Sequence, residues 1–550
     1  MIPLAMTLLL FALTGSISAQ TPAQTVVHKA ARTPWAPSTT PPTSSIEGKI
    51  VNGVVTSGFP SVGLFVNDQP DPQDPTSVFE LSCTVTLIGC STALTAAHCI
   101  CDDAAASNLL TGAQCVKRAD LLDASMKLVY FHQAGIVRVS SVTVNPDFVF
   151  GEASDFAILH LATPVTGIAP SPLDTTAKPA FGTTGTLVGY GITEDPSSGG
   201  GIKRSGEVKV ASCAVSGINA ANHVCASLLS PLGTPGLNSG TCHGDSGGPL
   251  FVDSAAGPAI AGTTSGGDSS SDNCTPPDHI FFADVFKGRA WIEANAPDLG
   301  TAACGGLPAA GGPNTTVTSA AGSLNPGHSS ELTPLNVPSN ATRLRVGLTA
   351  DNFDTNDYNL YVKQGSPATT TSYDCKSDGG GTLAFCDIQN PAAGPWYALV
   401  NGIAGPGGAY QLISTLYTQA LAPTPCVPSA ATLCLDDQPG DKRFKVEVLY
   451  QTSQGGGLAG NGNAIPLSPL GVNRGGLFWF FSADNPEMLV KVLNACSTST
   501  PSYWVFYSAG TNVGFSVTVT DSVTGRTKTY SNPDLTSAPP VTDTSALPCS

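Results

Sequence analysis

Charge is scarce in this chain. Asp, Glu, Lys and Arg make up 12% of the 550 residues, and 24 Lys and Arg stand against 40 Asp and Glu, for a net charge of −16. No basic patch is present to displace counterions from a phosphate backbone, which excludes nucleic acid as a partner. Beyond the first residues no apolar run has the length to cross a bilayer, so no integral membrane segment is expected. The one early apolar stretch, Ile2 to Leu13, has no Lys or Arg ahead of it. It is followed by Thr-Gly-Ser-Ile-Ser-Ala and reads as a signal peptide spanning residues 1–19. Asp351, Asp354 and Asp357 lack a complete calcium-loop pattern, so no metal is assigned. Cysteine is plentiful: sixteen residues point to an oxidising compartment, and hence to a secreted protein.

The segment Cys242-His243-Gly244-Asp245-Ser246-Gly247-Gly248-Pro249 sets a serine between an acid and two glycines, which suits a hydroxyl held exposed in a tight turn. Backbone N–H groups of Gly244 and Ser246 can converge on one point and stabilise the oxyanion formed when a hydroxyl attacks a carbonyl. Such a serine needs a base. Leu94-Thr95-Ala96-Ala97-His98-Cys99 offers His98 among small residues that pack closely. The third requirement is a carboxylate that fixes the imidazole tautomer and stabilises the imidazolium. Ser154-Asp155-Phe156-Ala157-Ile158-Leu159 offers Asp155 where polar loop becomes apolar strand.

In the chain order His, Asp, Ser, with Cys83 fifteen residues before His98, these motifs resemble the chymotrypsin-like (trypsin-like) serine endopeptidases over residues 50–298. The resemblance implies catalytic His98, Asp155 and Ser246, an oxyanion hole from Gly244 and Ser246, and peptide hydrolysis through an acyl-enzyme without metal or organic cofactor. Glu47-Gly48-Lys49-Ile50-Val51-Asn52-Gly53 resembles a zymogen junction. An activating protease would cut after Lys49, and the new Ile50 ammonium would pair with Asp245, a buried ion pair used as a switch. By family position Cys83 pairs with Cys99, Cys213 with Cys225 and Cys242 with Cys274. Cys90, Cys101, Cys115 and Cys304 have no assigned counterpart. Cys101–Cys115 would pin an inserted loop, and Cys90–Cys101 remains open beside it.

The expected fold class is all-β. Short β-branched runs such as Thr84 to Ile88, Ile136 to Val144 and Gly185 to Tyr190 alternate with turn residues, as in antiparallel strands closed into barrels. The family resemblance makes this two six-stranded barrels flanking the site, with a C-terminal helix near Ala290 to Asn295. Gly240, six residues before Ser246, would line the floor of the primary pocket, Ser265 would hydrogen-bond Asp155, and Gly267 would pair with substrate backbone. Gly266 stands where the family usually has tryptophan, which implies a reduced wall. Two alignments of the far wall stay open. Without a gap Ile280 narrows the pocket for small apolar side chains, the reading narrowly favoured; with one inserted residue Asp278 enters and selects basic ones. His160 reads as a barrel residue, His243 as a neighbour of the oxyanion loop, and Asp102 and Asp103 as residues of the inserted loop.

Residues 20–49 are a pro-segment interrupted by Pro34, Pro37, Pro41 and Pro42. Residues 299–314 read from composition as a flexible linker. Residues 315–418 resemble the bacterial pre-peptidase C-terminal domain, a β-sandwich with a Cys375–Cys386 bridge. Residues 425–550 read as a β-rich accessory module with Cys426–Cys434 and Cys496–Cys549 bridges. The whole is expected to be a monomer secreted by a bacterium and acting on protein or peptide. The rival is a non-catalytic secreted binding protein on the same fold.

Overall fold

The computed structural model describes residues 25–27, 50–70, 78–419 with interruptions at 175, 193–199, 216, 255–256, 269–273, 313, 333 and 354, and 426–549 apart from 455–456 and 499–500. The expected signal peptide, and Lys49 at the expected junction, lie outside these residues. The chain divides into two units, residues 1–418 and 419–550.

The first unit opens with two closed six-stranded antiparallel barrels. β1 (Val62–Pro70), β2 (Val78–Gly89), β3 (Thr92–Thr95), β4 (Lys127–Phe131), β5 (Gly135–Val144) and β6 (Ala157–Leu161) pair in the order β2-β1-β4-β5-β6-β3, and β2–β3 closes the ring. Burial along β5 alternates at its start, with Val137 and Val139 inward and Arg138 and Ser140 outward, the two-residue period of a strand with one wet face. A four-residue helix, α1 (His98–Cys101), follows β3 directly and is wholly buried. The second barrel is β7 (Thr184–Gly189), β8 (Arg204–Ala211), β9 (His223–Leu228), β10 (Pro249–Ser254), β11 (Gly257–Gly267) and β12 (Asp278–Asp284), ordered β7-β10-β11-β12-β9-β8 and closed by β7–β8. A further short strand adds to each ring, Thr25–Val27 beside Val78–Glu80 and Val54–Val55 beside Arg204–Ser205. Helix α2 (Val285–Asn295) follows at once, capped by Asp284, whose carboxylate accepts from the amides of Phe286 at 3.0 Å and Lys287 at 3.4 Å.

Residues 299–314 do not hang free. Cys304 is bridged to Cys90 across 214 residues, Gly300 N donates to Ile88 O at 3.1 Å, and Ala310 N donates to Gly167 O at 2.9 Å. A sandwich of two antiparallel sheets comes next. One holds β13 (Thr315–Leu324), β14 (Ala341–Ala350), β15 (Ala384–Gln389) and β16 (Gly408–Thr418) in the order β13-β16-β14-β15. Strands Asp357–Gln364 and Gly394–Ala404 are central in the other. Leu344, Val346, Leu360, Val400 and Leu412 are buried together between the two sheets.

The second unit is built from two further antiparallel sheets around Val446, Val448, Phe478, Val490, Val505 and Val517. Its buried Arg443 donates to both carboxylate oxygens of Asp521, at 2.9 and 2.8 Å, and to the Tyr503 hydroxyl at 2.8 Å. Among the described residues no helix is long and apolar enough to cross a membrane.

Candidate active site

The two barrels meet over the three residues that the motifs single out. His98 opens α1 and Asp155 lies just ahead of β6; β6 pairs with β3, Ala157 opposite Thr95, which brings the two together. Asp155 Oδ1 accepts from the His98 amide at 2.9 Å, and Oδ2 lies 2.8 Å from His98 Nδ1. The Ser265 hydroxyl also donates to Oδ2. All three residues are buried. Burial pushes the Asp155 carboxyl toward its neutral form, but the charge and ring N–H of His98, the Ser265 hydroxyl and the His98 amide outweigh it and hold the group below the usual carboxylate range. Asp155 is therefore an anion that accepts from Nδ1, leaving Nε2, which is buried and makes no hydrogen bond, on the opposite edge of the ring.

Ser246 arrives from the second barrel on the turn before β10. Gly244 has φ +92° and Gly247 φ +79°, left-handed conformations that a β-carbon would strain. At Gly244 a β-carbon would also stand 2.9 Å from Gly191 Cα. The turn is tied to the first barrel through Thr84: its hydroxyl donates to Gly244 O at 2.9 Å and its amide to Ser246 O at 2.8 Å. Gly247 packs so closely on Thr95 and Ala96 that no side chain fits between them. Those residues lead directly into His98, so the serine turn packs on the segment that carries the imidazole. The Cys83–Cys99 and Cys101–Cys115 bridges, S–S 2.02 and 2.21 Å, fasten α1 at two of its four residues, and Cys242–Cys274, at 2.18 Å, fastens the segment entering the serine turn. Cys213–Cys225 and Cys375–Cys386 are likewise joined, and so are Cys426–Cys434 and Cys496–Cys549.

Asp245, between Gly244 and Ser246, is buried. Its carboxylate accepts from Gly191 N at 2.8 Å and Cys242 N at 2.9 Å, and burial pushes its pKa up to about 7 against those amides and Arg204. Ile50 is wholly buried beside Leu187, Val208 and Leu250, and Val51 bridges to Gly240. The segment after the expected junction is thus seated in the second barrel.

At the pocket, Leu228 closes on Gly240, where an added β-carbon would meet Leu228 Cδ2 at 2.8 Å. Ile280, expected from the ungapped alignment at the wall, is packed in the barrel core with Ile50 and Leu187. Asp278 is instead the side chain beside Gly267: a β-carbon there would stand 2.7 Å from its Oδ1, which also accepts from Asp268 N at 3.2 Å. Where Gly266 implied a reduced wall, aromatic rings pack against it. A β-carbon there would meet Phe281 at 2.7 Å and Phe150 at 3.1 Å, and Phe150 sets its edge against His98, centroids 5.9 Å apart. Phe150 was not legible as a site residue; the glycine at 266 was the signal that another large group must occupy the space. His160 bonds Thr143 within the barrel, and Asp103 on the inserted loop pairs with Arg118 at 2.6 Å. Cys242, His243 and Cys274 cluster closely, but the two sulfurs are joined to each other and supply no thiolate for a metal.

This double barrel, with a serine, a histidine and a carboxylate at the junction of its halves, defines a class of hydrolase, and comparison with known proteins gives the same class. Residues 72–292 match the family described as Trypsin, and residues 330–402 match the bacterial pre-peptidase C-terminal domain. The chain is 29% identical over 232 residues to "Fibrinolytic enzyme, isozyme C" of Lumbricus rubellus, covering 39% of this chain and 88% of that protein. It is 44% identical over 52 residues to "Xanthomonalisin" of Xanthomonas sp. (strain T-22), covering 10% of this chain and 6% of that protein. The chain carries a trypsin-family domain followed by a pre-peptidase C-terminal domain, and it is a serine-type endopeptidase.

Proposed function

We propose that this endopeptidase is secreted by a bacterium as a zymogen, is activated by another protease that cuts after Lys49, and cleaves protein substrates as a monomer. Ser246 Oγ attacks the scissile carbonyl. His98 Nε2 takes the proton and returns it to the leaving amine, while Asp155 holds Nδ1–H and the developing imidazolium. The amides of Gly244 and Ser246 receive the oxyanion, and water then releases the acyl group. The observation that carries this reading is the double grip of Asp155 on His98, at 2.9 Å to the amide and 2.8 Å to Nδ1. That grip leaves Nε2 as the ring nitrogen available to act as a base. In the primary pocket the negative charge of Asp278, whose Oδ1 stands beside Gly267, favours Lys or Arg over an acidic residue in the substrate. Export is supported by eight cystines and by the kind of accessory domain carried.

The test is peptide-library cleavage and fluorophosphonate labelling of the purified protein, before and after cutting at Lys49, beside a Ser246→Ala control. Cleavage and labelling that appear after cutting and vanish with Ser246→Ala are expected. An uncut protein as active as the cut one removes the zymogen mechanism; activity that survives Ser246→Ala removes the catalytic assignment.

A further inference from the structure

The sandwich of residues 315–418 shares a core with the protease barrels. Phe353, from the loop after β14, is buried in the same cluster as Val62, Val188, Tyr190 and Phe251, which belong to the two barrels and the loop after β7. Around it the contact is polar and close. The buried Tyr130 hydroxyl donates to Leu348 O at 3.0 Å, His132 Nε2 lies 2.9 Å from the Thr349 hydroxyl, and Gln411 donates to Thr56 O at 2.8 Å. Farther along the sheet, Arg345 donates to Gln133 O at 3.1 Å and to the carbonyl and hydroxyl of Thr166 at 2.5 and 2.7 Å. Buried polar groups satisfied across a contact are costly to separate, because each would have to be rehydrated or left unpaired.

One part of this contact leads to the catalytic centre. Gly201 lies under Ala350 and Phe353: a β-carbon there would collide with the Ala350 carbonyl and stand 3.2 Å from Phe353 Cβ. Gly201 N donates to Tyr190 O at 2.8 Å, the Gly191 amide beside it donates to Asp245 Oδ1 at 2.8 Å, and Ile192 N donates to His243 O at 2.8 Å. Asp245 stands between Gly244 and Ser246, whose amides form the oxyanion site of the function proposed above. Four short links therefore run from the sandwich to the nucleophile's turn.

We propose that the sandwich is a built-in strut of the protease: Ala350 and Phe353 hold the 200–201 segment against Tyr190 and Gly191, which hold Asp245 and with it the Gly244–Ser246 turn. The inference rests on the assignment of that turn as the oxyanion site. Phe353 is a positioning residue, and the active enzyme keeps its sandwich.

The test uses the full chain cut after Lys49, with Phe353→Ala, Phe353→Leu and Arg345→Gln. Steady-state kinetics, the rate of fluorophosphonate labelling and the melting temperature are measured for each, and Ser246→Ala sets the unlabelled baseline. Misplacing a catalytic group by about 1 Å costs up to about a hundredfold in rate. Phe353→Ala is expected to lower kcat and the labelling rate by at least about tenfold with KM nearly unchanged. Phe353→Leu, which refills most of the volume, restores most of both. Arg345→Gln loosens the same interface at Thr166, away from Tyr190, so it lowers the melting temperature while kcat holds. The proposal is overturned if Phe353→Ala keeps the parental kcat below its melting temperature, or if Arg345→Gln lowers kcat as much for the same loss of melting temperature. Should Phe353→Ala not fold, Phe353→Val, which refills less of the volume than leucine and is expected to lower kcat, is compared with Arg345→Gln in its place. Labelling of Ser246→Ala would count against the catalytic assignment and leave the strut to be judged from the other variants.

Discussion

If Asp245 awaits the Ile50 ammonium, as the zymogen proposal has it, its burial should leave a mark on the stability of the uncut protein. It is wholly buried, and burial raises its carboxyl from 3.8 to about 7 against the opposing Cys242 and Gly191 amides and Arg204. That difference of about 3 units, at about 1.4 kcal/mol each, makes ionising Asp245 in the folded chain about 4 kcal/mol harder than in the unfolded one. The unfolded chain releases this proton near 3.8 while the folded chain keeps it to about 7, so the folded state binds more protons between those values and its stability falls as pH rises through that window. Cutting after Lys49 creates an ammonium at Ile50. Paired with it, Asp245 ionises readily and the fall disappears. The measurement is urea unfolding of the uncut chain from about pH 4 to about pH 7, on a Ser246→Ala background to prevent self-cleavage, with and without Asp245→Asn. Asp245→Asn should flatten the decline by up to about 4 kcal/mol, and cutting should flatten it in the parent. The reasoning is refuted if the slope is the same with either residue at 245.

Three further outcomes follow from the geometry. Gly244→Ala places a β-carbon 2.9 Å from Gly191 Cα at φ +92°, so the oxyanion amide shifts and kcat should fall by about 10²–10³ with binding of a substrate-like inhibitor little changed. Asp278→Asn should reduce kcat/KM for substrates with Lys or Arg in the primary position while sparing those with small residues; equal loss on both, measured with paired peptides, would show that Asp278 does not face the substrate. Replacing both Cys90 and Cys304 with serine frees a loop closed across 214 residues, for which chain entropy assigns about 5 kcal/mol, so the urea midpoint of the first unit should drop; an unchanged midpoint would mean that the sandwich contacts alone hold the segment.

What could be read in the sequence and what could not divide by the range of the interaction. His98, Asp155 and Ser246 each sit in a local setting with its own requirement: small residues leading into a packed turn, an acid at a strand entry, glycines at left-handed positions. A short string displays such requirements. The closing helix was legible only at its end, although Asp284 before Val285 is an ordinary capping signal for its start. Residues 299–314, rich in Gly, Ala and Pro, read as a flexible linker because composition reports the intrinsic freedom of the chain and carries no record of its partners. Those partners are Ile88, Cys90 and Gly167, all far back in the chain. The same blindness hid Phe150, whose place against His98 depends on a glycine more than a hundred residues later, and Phe353, which completes a core begun at Val62. A buried side chain contributed by another domain looks, in sequence, like any residue of its own domain's loop. Nothing in residues 315–418 therefore announced the core and the buried hydrogen bonds that the sandwich shares with the barrels, on which the strut proposal rests.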